Sequence, residues 1–406
     1  MVQRIGETVL KETSIRTQVE ASRGDRLRVL IVGAGIAGLT LAQLLRRRGL
    51  APVLVERAGP DAPNGYMLAL MPLVDPVFEA LGATEAYRSG SVAMNRFRIR
   101  DRRGSVIREY TMGGLLKAYG DYRGVSRGDL MEVLASSGGA VTHGITVTGL
   151  EQPGSVVAAA FDDGSEAEFD AVIVADGLHS ATRDLVLTPE QVKVYDTGWG
   201  GWVVWTDADE DDDLGEELWG VGAFVGTYPV NGRLGAIVCG SRDDAHAGLD
   251  SFVARLRTAV PTAGDRMARV LTEAVDGRDA YYWSLTDCRS ATWSSGRIGL
   301  VGDAAAGFLP TAGIGAGMAM ESAWVLADRL ARSDPADVPA ALVGYEKAQR
   351  PRVEAAQDNS RNLAPLLFND ASFAATLRDC AARYIPLGIM LGPIRKLLED
   401  RPAGVH

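Results

Sequence analysis

Residues 28–38 read RVLIVGAGIAG, and this stretch limits the fold of the chain more than any other. RVLIV is a short apolar run suited to a buried strand. Gly33, Gly35 and Gly38 follow at the spacing G-x-G-x-x-G, with Ala37 inside the same loop. LTLAQLLRRRG then has a helical period and stops at Gly49, and APVLVER (51–57) reads as a second strand. Together they make one βαβ unit. The first two glycines let the backbone turn and approach a pyrophosphate, and the third lets helix and strand pack closely. The helix N-terminus adds free amide donors and positive potential. Glu56 ends the second strand, where a carboxylate accepts hydrogen bonds from a ribose and repels a 2′-phosphate. This unit points to an α/β fold with a dinucleotide site, and does not separate FAD from NAD.

The rest of the composition narrows the partners. The chain has 406 residues, 47% hydrophobic and 23% charged, enough for two domains or two intergrown ones. A net charge of −10 argues against nucleic acid or an anionic membrane as partner. Cys239, Cys288 and Cys380 are far apart and odd in number, which fits a reducing, cytoplasmic setting. His143, His179, His246 and His406 have no metal-ligand spacing, so no metal site is expected. No apolar stretch is long enough to span a bilayer. Residues 1–26 mix both charge signs and lack an apolar signal core, and read as a flexible extension ahead of a fold that begins at Leu27.

Further along, residues 96–112 predict a hairpin, RFRIR and SVIREY around DRRG. SRGDLMEVLASS (126–137) predicts a helix with a capping-box start at Ser126 and Asp129. Residues 141–175 alternate like strands and close on AVIVA, and residues 194–240 are rich in Gly, Trp and Val, as in an antiparallel sheet. Helical patterns cover about 250–275, RIGLV (297–301) is another buried strand, and helices run from about 314 to the end. The elements suggest a parallel α/β core, a mostly β insertion and C-terminal helices.

Two more motifs complete the pattern: VADGLHSATR (174–183) and VGDAAAGFLP (301–310), the latter continuing as TAGIGAG to residue 317. With GAGIAG and the pair Glu56–Arg57, they resemble the group A FAD-dependent monooxygenases, the aromatic-hydroxylase family related to para-hydroxybenzoate hydroxylase. The resemblance covers roughly residues 27–365. It implies a Rossmann-like FAD-binding domain with a parallel sheet (27–72, 122–187 and 285–355), an inserted, mostly antiparallel β substrate domain (73–121 and 188–284) and a C-terminal helical segment (356–406). The cofactors it implies are FAD, with NADH or NADPH as reductant.

The same resemblance implies roles for residues. Asp303 would accept hydrogen bonds from the flavin's ribityl chain. Gly313, Gly315, Ala316 and Gly317 would bring a helix N-terminus, carrying about half a positive charge, to the flavin's pyrimidine edge. Asp176 and Gly177 match the family's DG motif, followed by Ser180 and Arg183. Arg127 matches an arginine that reaches the FAD phosphates or ribityl region, Val147 the position that offers backbone to adenine, and Pro310 a position near the oxygen-reacting edge. Many relatives carry histidine after GDAA; here Ala306 stands there. No catalytic base can be named.

The implied activity is insertion of one oxygen atom, by hydroxylation or epoxidation, into an apolar or aromatic small molecule, as in secondary metabolism. The alternatives are a non-redox FAD enzyme such as a cyclase, or another flavin oxidoreductase. Tyr66, Met67, Met71, Trp202, Phe224 and Tyr228 are the pocket candidates. Three patterns read as decoys. GVSRG (124–128) matches a nucleophile elbow but is explained by a capping serine. DADEDDDLGEE (207–217) lacks the Gly and Glu of a calcium loop and reads as a solvated loop. Trp199, Trp202 and Trp205 do not form a halogenase motif.

Overall fold

Four parallel strands set the three glycine-bearing motifs side by side. In the computed structural model, which describes residues 10–60, 65–116, 118–260, 264–276, 280–384, 388, 391–400 and 402, strand Val29–Val32 lies between Val53–Glu56 and Ala171–Val174, and the latter pairs with Ile298–Leu300. Val32 stands opposite both Val55 and Val174, and Val174 opposite Leu300. The loops that follow these strands therefore leave the sheet at one edge, its carboxyl edge, where open α/β sheets bind ligands. The central strands are apolar throughout because both faces are covered. Helices Ile36–Arg47 and Gly315–Ala331 pack together on one of those faces.

The fold starts before Leu27. Lys11–Glu12 pairs in parallel with Ala140–His143, the strand beyond Val53–Glu56. Helix Ile15–Ala21, capped by Ser14, buries Gln18, whose amide donates to the Leu54 carbonyl (3.0 Å) and accepts from the Leu54 amide (2.9 Å). The expected flexible extension is thus corrected over the described part of 1–26. A buried glutamine carries no hydrophobic signal, so composition missed this helix; residues 1–9 lie outside the described residues.

The second sheet has seven strands, in the order Tyr281–Ser290, Val192–Asp207, Arg233–Ser241, Ala223–Val230, Leu214–Trp219, Arg96–Arg100, Val106–Thr111. All neighbours are antiparallel except Leu214–Trp219 with Arg96–Arg100. Side chains alternate between its faces. Trp199, Val203, Trp205, Phe224, Tyr228 and Cys239 join the main core on the inner face. Trp202, Val204, Val225 and Val238 form a separate outer core beneath helices Leu249–Ala259 and Asp265–Asp276.

The acidic run is only partly a loop. Glu216 and Glu217 lie in strand Leu214–Trp219; Glu216 is fully buried and binds Arg98 and Arg100 across the outer face. The solvated-loop reading is corrected there, because paired arginines neutralise a charge that composition alone assigns to water. No helix among the described residues is long and apolar enough to cross a membrane.

Candidate functional site

At the carboxyl edge the three glycines of the first loop do different things. Gly33 has φ 104°, and a Cβ there would stand 2.6 Å from the Ala175 carbonyl oxygen. A Cβ on Gly38 would stand 1.9 Å from the Gly33 oxygen, so the third glycine is what lets helix Ile36–Arg47 meet its strand. Nothing lies within 4 Å of a Cβ on Gly35, the residue that caps this helix. The middle glycine alone opens onto free space, as a cradle for an approaching phosphate requires. Glu56 closes the loop: its carboxylate accepts from the amides of Ala34 and Ala58, each at 2.8 Å. Arg57 is exposed beside it. Val147 is buried, two residues after Ile145, whose amide donates to the Glu56 carbonyl at 3.1 Å.

The second motif organises itself. Asp176 accepts from the Ser180 hydroxyl and from the Thr182 amide (3.2 Å). Its partner is therefore not Arg183. Arg183 is buried and donates to the carbonyls of Leu178 (3.2 Å) and Ala304 (3.4 Å), tying the second motif to the third. Gly302, with φ 62°, brings the third motif onto the first: a Cβ there would stand 2.7 Å from that of Ala37. All three motifs are thus in contact.

Asp303 is the most informative residue of the third motif. Many protein atoms surround its carboxyl, yet the residue is exposed to solvent. Burial pushes its carboxyl up to about 6, and no hydrogen bond to the protein offsets this among the described residues. An enclosed acceptor without a donor fits a hydroxyl-rich ligand chain. The glycines that follow are partly explained by the protein itself. Gly313 has φ 61° at the end of the turn Pro310–Ala312. A Cβ on Gly315 would stand 2.9 Å from that of Phe308, and one on Gly317 would stand 2.6 Å from Leu73 Cδ2. Their missing side chains admit these neighbours, which lets helix Gly315–Ala331 start here. Gly315 and Ala316 remain partly open, and the first-turn amides have no intrahelical acceptor. Ala306, where histidine is usual, is buried.

Near Asp303 stands Tyr66, packed against Trp283 (ring centroids 5.2 Å) and Tyr281 (5.5 Å). Burial and the nearby charge of Asp303 push the Tyr66 phenol up to about 12, while Arg127, hydrogen-bonded to it, opposes this. Arg127 opens helix Arg127–Ala135 behind the capping Ser126, whose hydroxyl accepts from the Asp129 amide at 2.9 Å and donates to its carboxylate at 2.7 Å. That serine is a cap, not a nucleophile.

The pocket candidates separate. Met67 and Met71 are buried, and Met67 fills the space over Gly235 on the inner face. Phe224 packs edge-on against Phe368 (6.2 Å), and the Tyr228 hydroxyl donates to Glu217 Oε1 at 2.7 Å, both on the inner face. Trp202 is corrected: it sits in the outer core against Tyr282 (5.2 Å), because alternation along the strand turns it away from the inner face that carries Trp199 and Trp205. Glu217, Tyr281 and Trp283, which contact the candidates Tyr228 and Tyr66, are not among the sequence candidates. A strand pattern LGEELW inside the acidic run was the available signal for Glu217. Among the described residues no cluster of His, Cys, Asp and Glu could hold a metal ion.

Comparison with known proteins agrees with this geometry. A family model described as an FAD binding domain matches residues 26–360. The chain is 31% identical over 356 residues to a 3-amino-4-hydroxybenzoate 2-monooxygenase, PtnB3, of Streptomyces platensis, covering 83% of this chain and 87% of the relative. It is 28% identical over 342 residues to an FAD-dependent urate hydroxylase of Klebsiella pneumoniae, covering 80% and 87%. Its fold matches the crystal structure of Klebsiella pneumoniae HpxO complexed with FAD and uric acid, with a TM-score of 0.83 at 24% identity over 94% of this chain and 99% of that one. A salicylate hydroxylase substrate complex matches with a TM-score of 0.72 at 22% identity, over 93% and 99%.

Proposed function

The chain belongs to the FAD binding domain family and is an FAD-dependent monooxygenase, and from that premise we propose that it consumes NADH or NADPH together with O2. In this reading it inserts one oxygen atom, by hydroxylation or epoxidation, into an apolar or aromatic small molecule of the kind found in secondary metabolism. The observation that carries the reading is Asp303: a carboxylate with no hydrogen-bond donor among the described residues, exposed and close enough to Tyr66, which packs on Trp283 and Tyr281, for its charge to act on the phenol.

FAD, when bound, supplies the redox and oxygen-transfer chemistry. The chain holds and orients. Gly35, the first turn of helix Ile36–Arg47 and Glu56 would take the pyrophosphate and the adenosine ribose. Val147 would offer backbone to the adenine. Arg127 would reach a phosphate or the ribityl chain, and Asp303 would accept from ribityl hydroxyls. The free amides of Gly315, Ala316 and Gly317 would favour negative charge at the pyrimidine edge, with Pro310 at its flank. The segment around Asp176 braces this assembly through Arg183. Met67, Met71, Phe224 and Tyr228, with Tyr66, would enclose the substrate in apolar surface and keep out water.

The test is an aerobic assay with NADH or NADPH, isotopically labelled O2 and a panel of aromatic ligands, with product mass as the readout. The reading predicts one labelled oxygen per product molecule. Conversion of a ligand without O2 would favour a non-redox enzyme such as a cyclase. Oxygen use with unlabelled product would favour another flavin oxidoreductase.

A further inference from the structure

The inner face of the antiparallel sheet carries a carboxyl in an otherwise aromatic and apolar wall. Glu217 stands opposite Gly226, one position from Trp219 on its own face, with Phe224 and Tyr228 on the neighbouring strand. Its Oε1 accepts from the Tyr228 hydroxyl at 2.7 Å and its Oε2 from the Trp219 indole N–H at 2.8 Å. These two donors fix the plane of the carboxyl. Each oxygen can accept a second hydrogen bond. Protein surrounds most of the group, and the residue is only partly exposed.

Among the described residues no cation bonds to it; Arg378, over the Trp219 ring at 5.7 Å, is paired with Asp379. The neighbouring Glu216 takes Arg98 and Arg100 on the other face, whereas the groups that act on Glu217 are the neutral donors Trp219 and Tyr228. Burial raises the Glu217 carboxyl above its usual range, and the two hydrogen bonds oppose this without cancelling it. Tyr122 lies close enough to feel this charge, and its hydroxyl is 3.4 Å from where a Cβ of Gly313 would stand. Glu217 is thus linked, through one tyrosine, to the turn that precedes helix Gly315–Ala331. A half-satisfied carboxyl in an apolar pocket is costly unless a ligand completes it.

We propose that Glu217 orients the substrate, selecting an aromatic ring that presents an O–H or N–H donor and rejecting one that presents a free carboxylate there. This rests on the reading of the inner face as the substrate pocket. A donor would complete the oxygens that Tyr228 and Trp219 leave free. An ionised Glu217 would meet a ligand carboxylate as a like charge, and no arginine among the described residues bonds to its carboxyl to offset this. Gly226, opposite Glu217, admits the Tyr228 ring rather than a ligand: a Cβ there would stand 2.8 Å from that ring, so the missing side chain lets Tyr228 lie across and reach Glu217.

The experiment is isothermal titration calorimetry of the FAD-loaded protein near neutral pH, with 2-naphthol, 2-naphthylamine, naphthalene and 2-naphthoate as matched probes. The naphthol and the amine should bind about ten- to a hundredfold more tightly than the naphthoate, as expected for a hydrogen bond to a charged group. Naphthalene should fall between. In Glu217→Gln the gap between naphthol and naphthoate should shrink at least tenfold, with FAD content unchanged. Naphthoate binding as tightly as naphthol, no binding of naphthol, or an unchanged gap in Glu217→Gln would overturn the proposal. If that variant does not fold, the wild-type order decides. Binding needs no turnover, so a protein that discriminates in this way without oxidising its ligand would retire the monooxygenase chemistry and leave the role of Glu217 standing.

Discussion

The Glu56 carboxylate accepts a hydrogen bond from the Ala34 amide at 2.8 Å, so the acid that ends the second strand closes over the glycine loop that ends the first. One side chain thereby shapes the phosphate cradle and would contact the ribose. Glu56→Ala removes both functions. It should lower FAD affinity by roughly ten- to a hundredfold, as for loss of charge-assisted hydrogen bonds. Fluorescence titration of apoprotein with FAD checks this.

Gly35 and Gly38 should respond differently to the same substitution. Gly38→Ala forces a Cβ to 1.9 Å from the Gly33 oxygen, and should destabilise the apoprotein by about 1–3 kcal/mol or more through overpacking. Gly35→Ala meets nothing within 4 Å and should leave the apoprotein's melting temperature nearly unchanged while weakening FAD binding. Melting curves with and without FAD separate the two.

Asp303 sets a pH dependence. Its folded-state carboxyl is pushed up from 3.8 to about 6 by burial, so ionisation favours the unfolded chain. Apoprotein stability contributed by this residue should therefore fall as pH rises from about 4 through about 6, and stay level above. The slope should be shallow, because the residue is also exposed to solvent. Asp303→Asn should abolish it. That variant should melt at or above wild type at neutral pH without cofactor, yet bind FAD about ten- to a hundredfold more weakly. Thermal melts across pH, paired with FAD titrations, read both effects.

The two faces of the antiparallel sheet can be told apart. Trp202→Ala empties part of the outer core and should cost up to about 3 kcal/mol of stability with little change in ligand affinity. Tyr228→Phe removes a donor to Glu217 on the inner face and should alter ligand affinity with a smaller loss of stability. Denaturant unfolding and ligand calorimetry on both variants check the assignment.

The glycine loops after strands Val29–Val32 and Ile298–Leu300 were legible because each joins a short apolar strand to small residues, a local pattern that tertiary context does not override. Contacts that depend on the partner surface were not. Trp199, Trp202 and Trp205 look alike in the chain, and only the placement of the parallel sheet decides which of them turn inward. An empty Cβ position looks the same whether a ligand or a side chain fills it, so the roles of Phe308 beside Gly315 and Leu73 beside Gly317 were hidden. Glu217 was concealed by its acidic neighbours, although its alternation with Glu216 puts the two carboxyls on opposite faces. The N-terminal helix was missed because its buried face includes a glutamine.

The central claim is that a reduced nicotinamide delivers electrons to FAD held at this carboxyl edge, ahead of oxygen transfer to an aromatic ligand. The most direct measurement is anaerobic stopped-flow absorbance of the FAD-loaded protein mixed with NADH or NADPH, alone and with a panel of aromatic and polycyclic ligands. The account predicts slow bleaching of the flavin without ligand and faster bleaching with at least one of them. A flavin that stays oxidised with both nicotinamides and every ligand of the panel would contradict it.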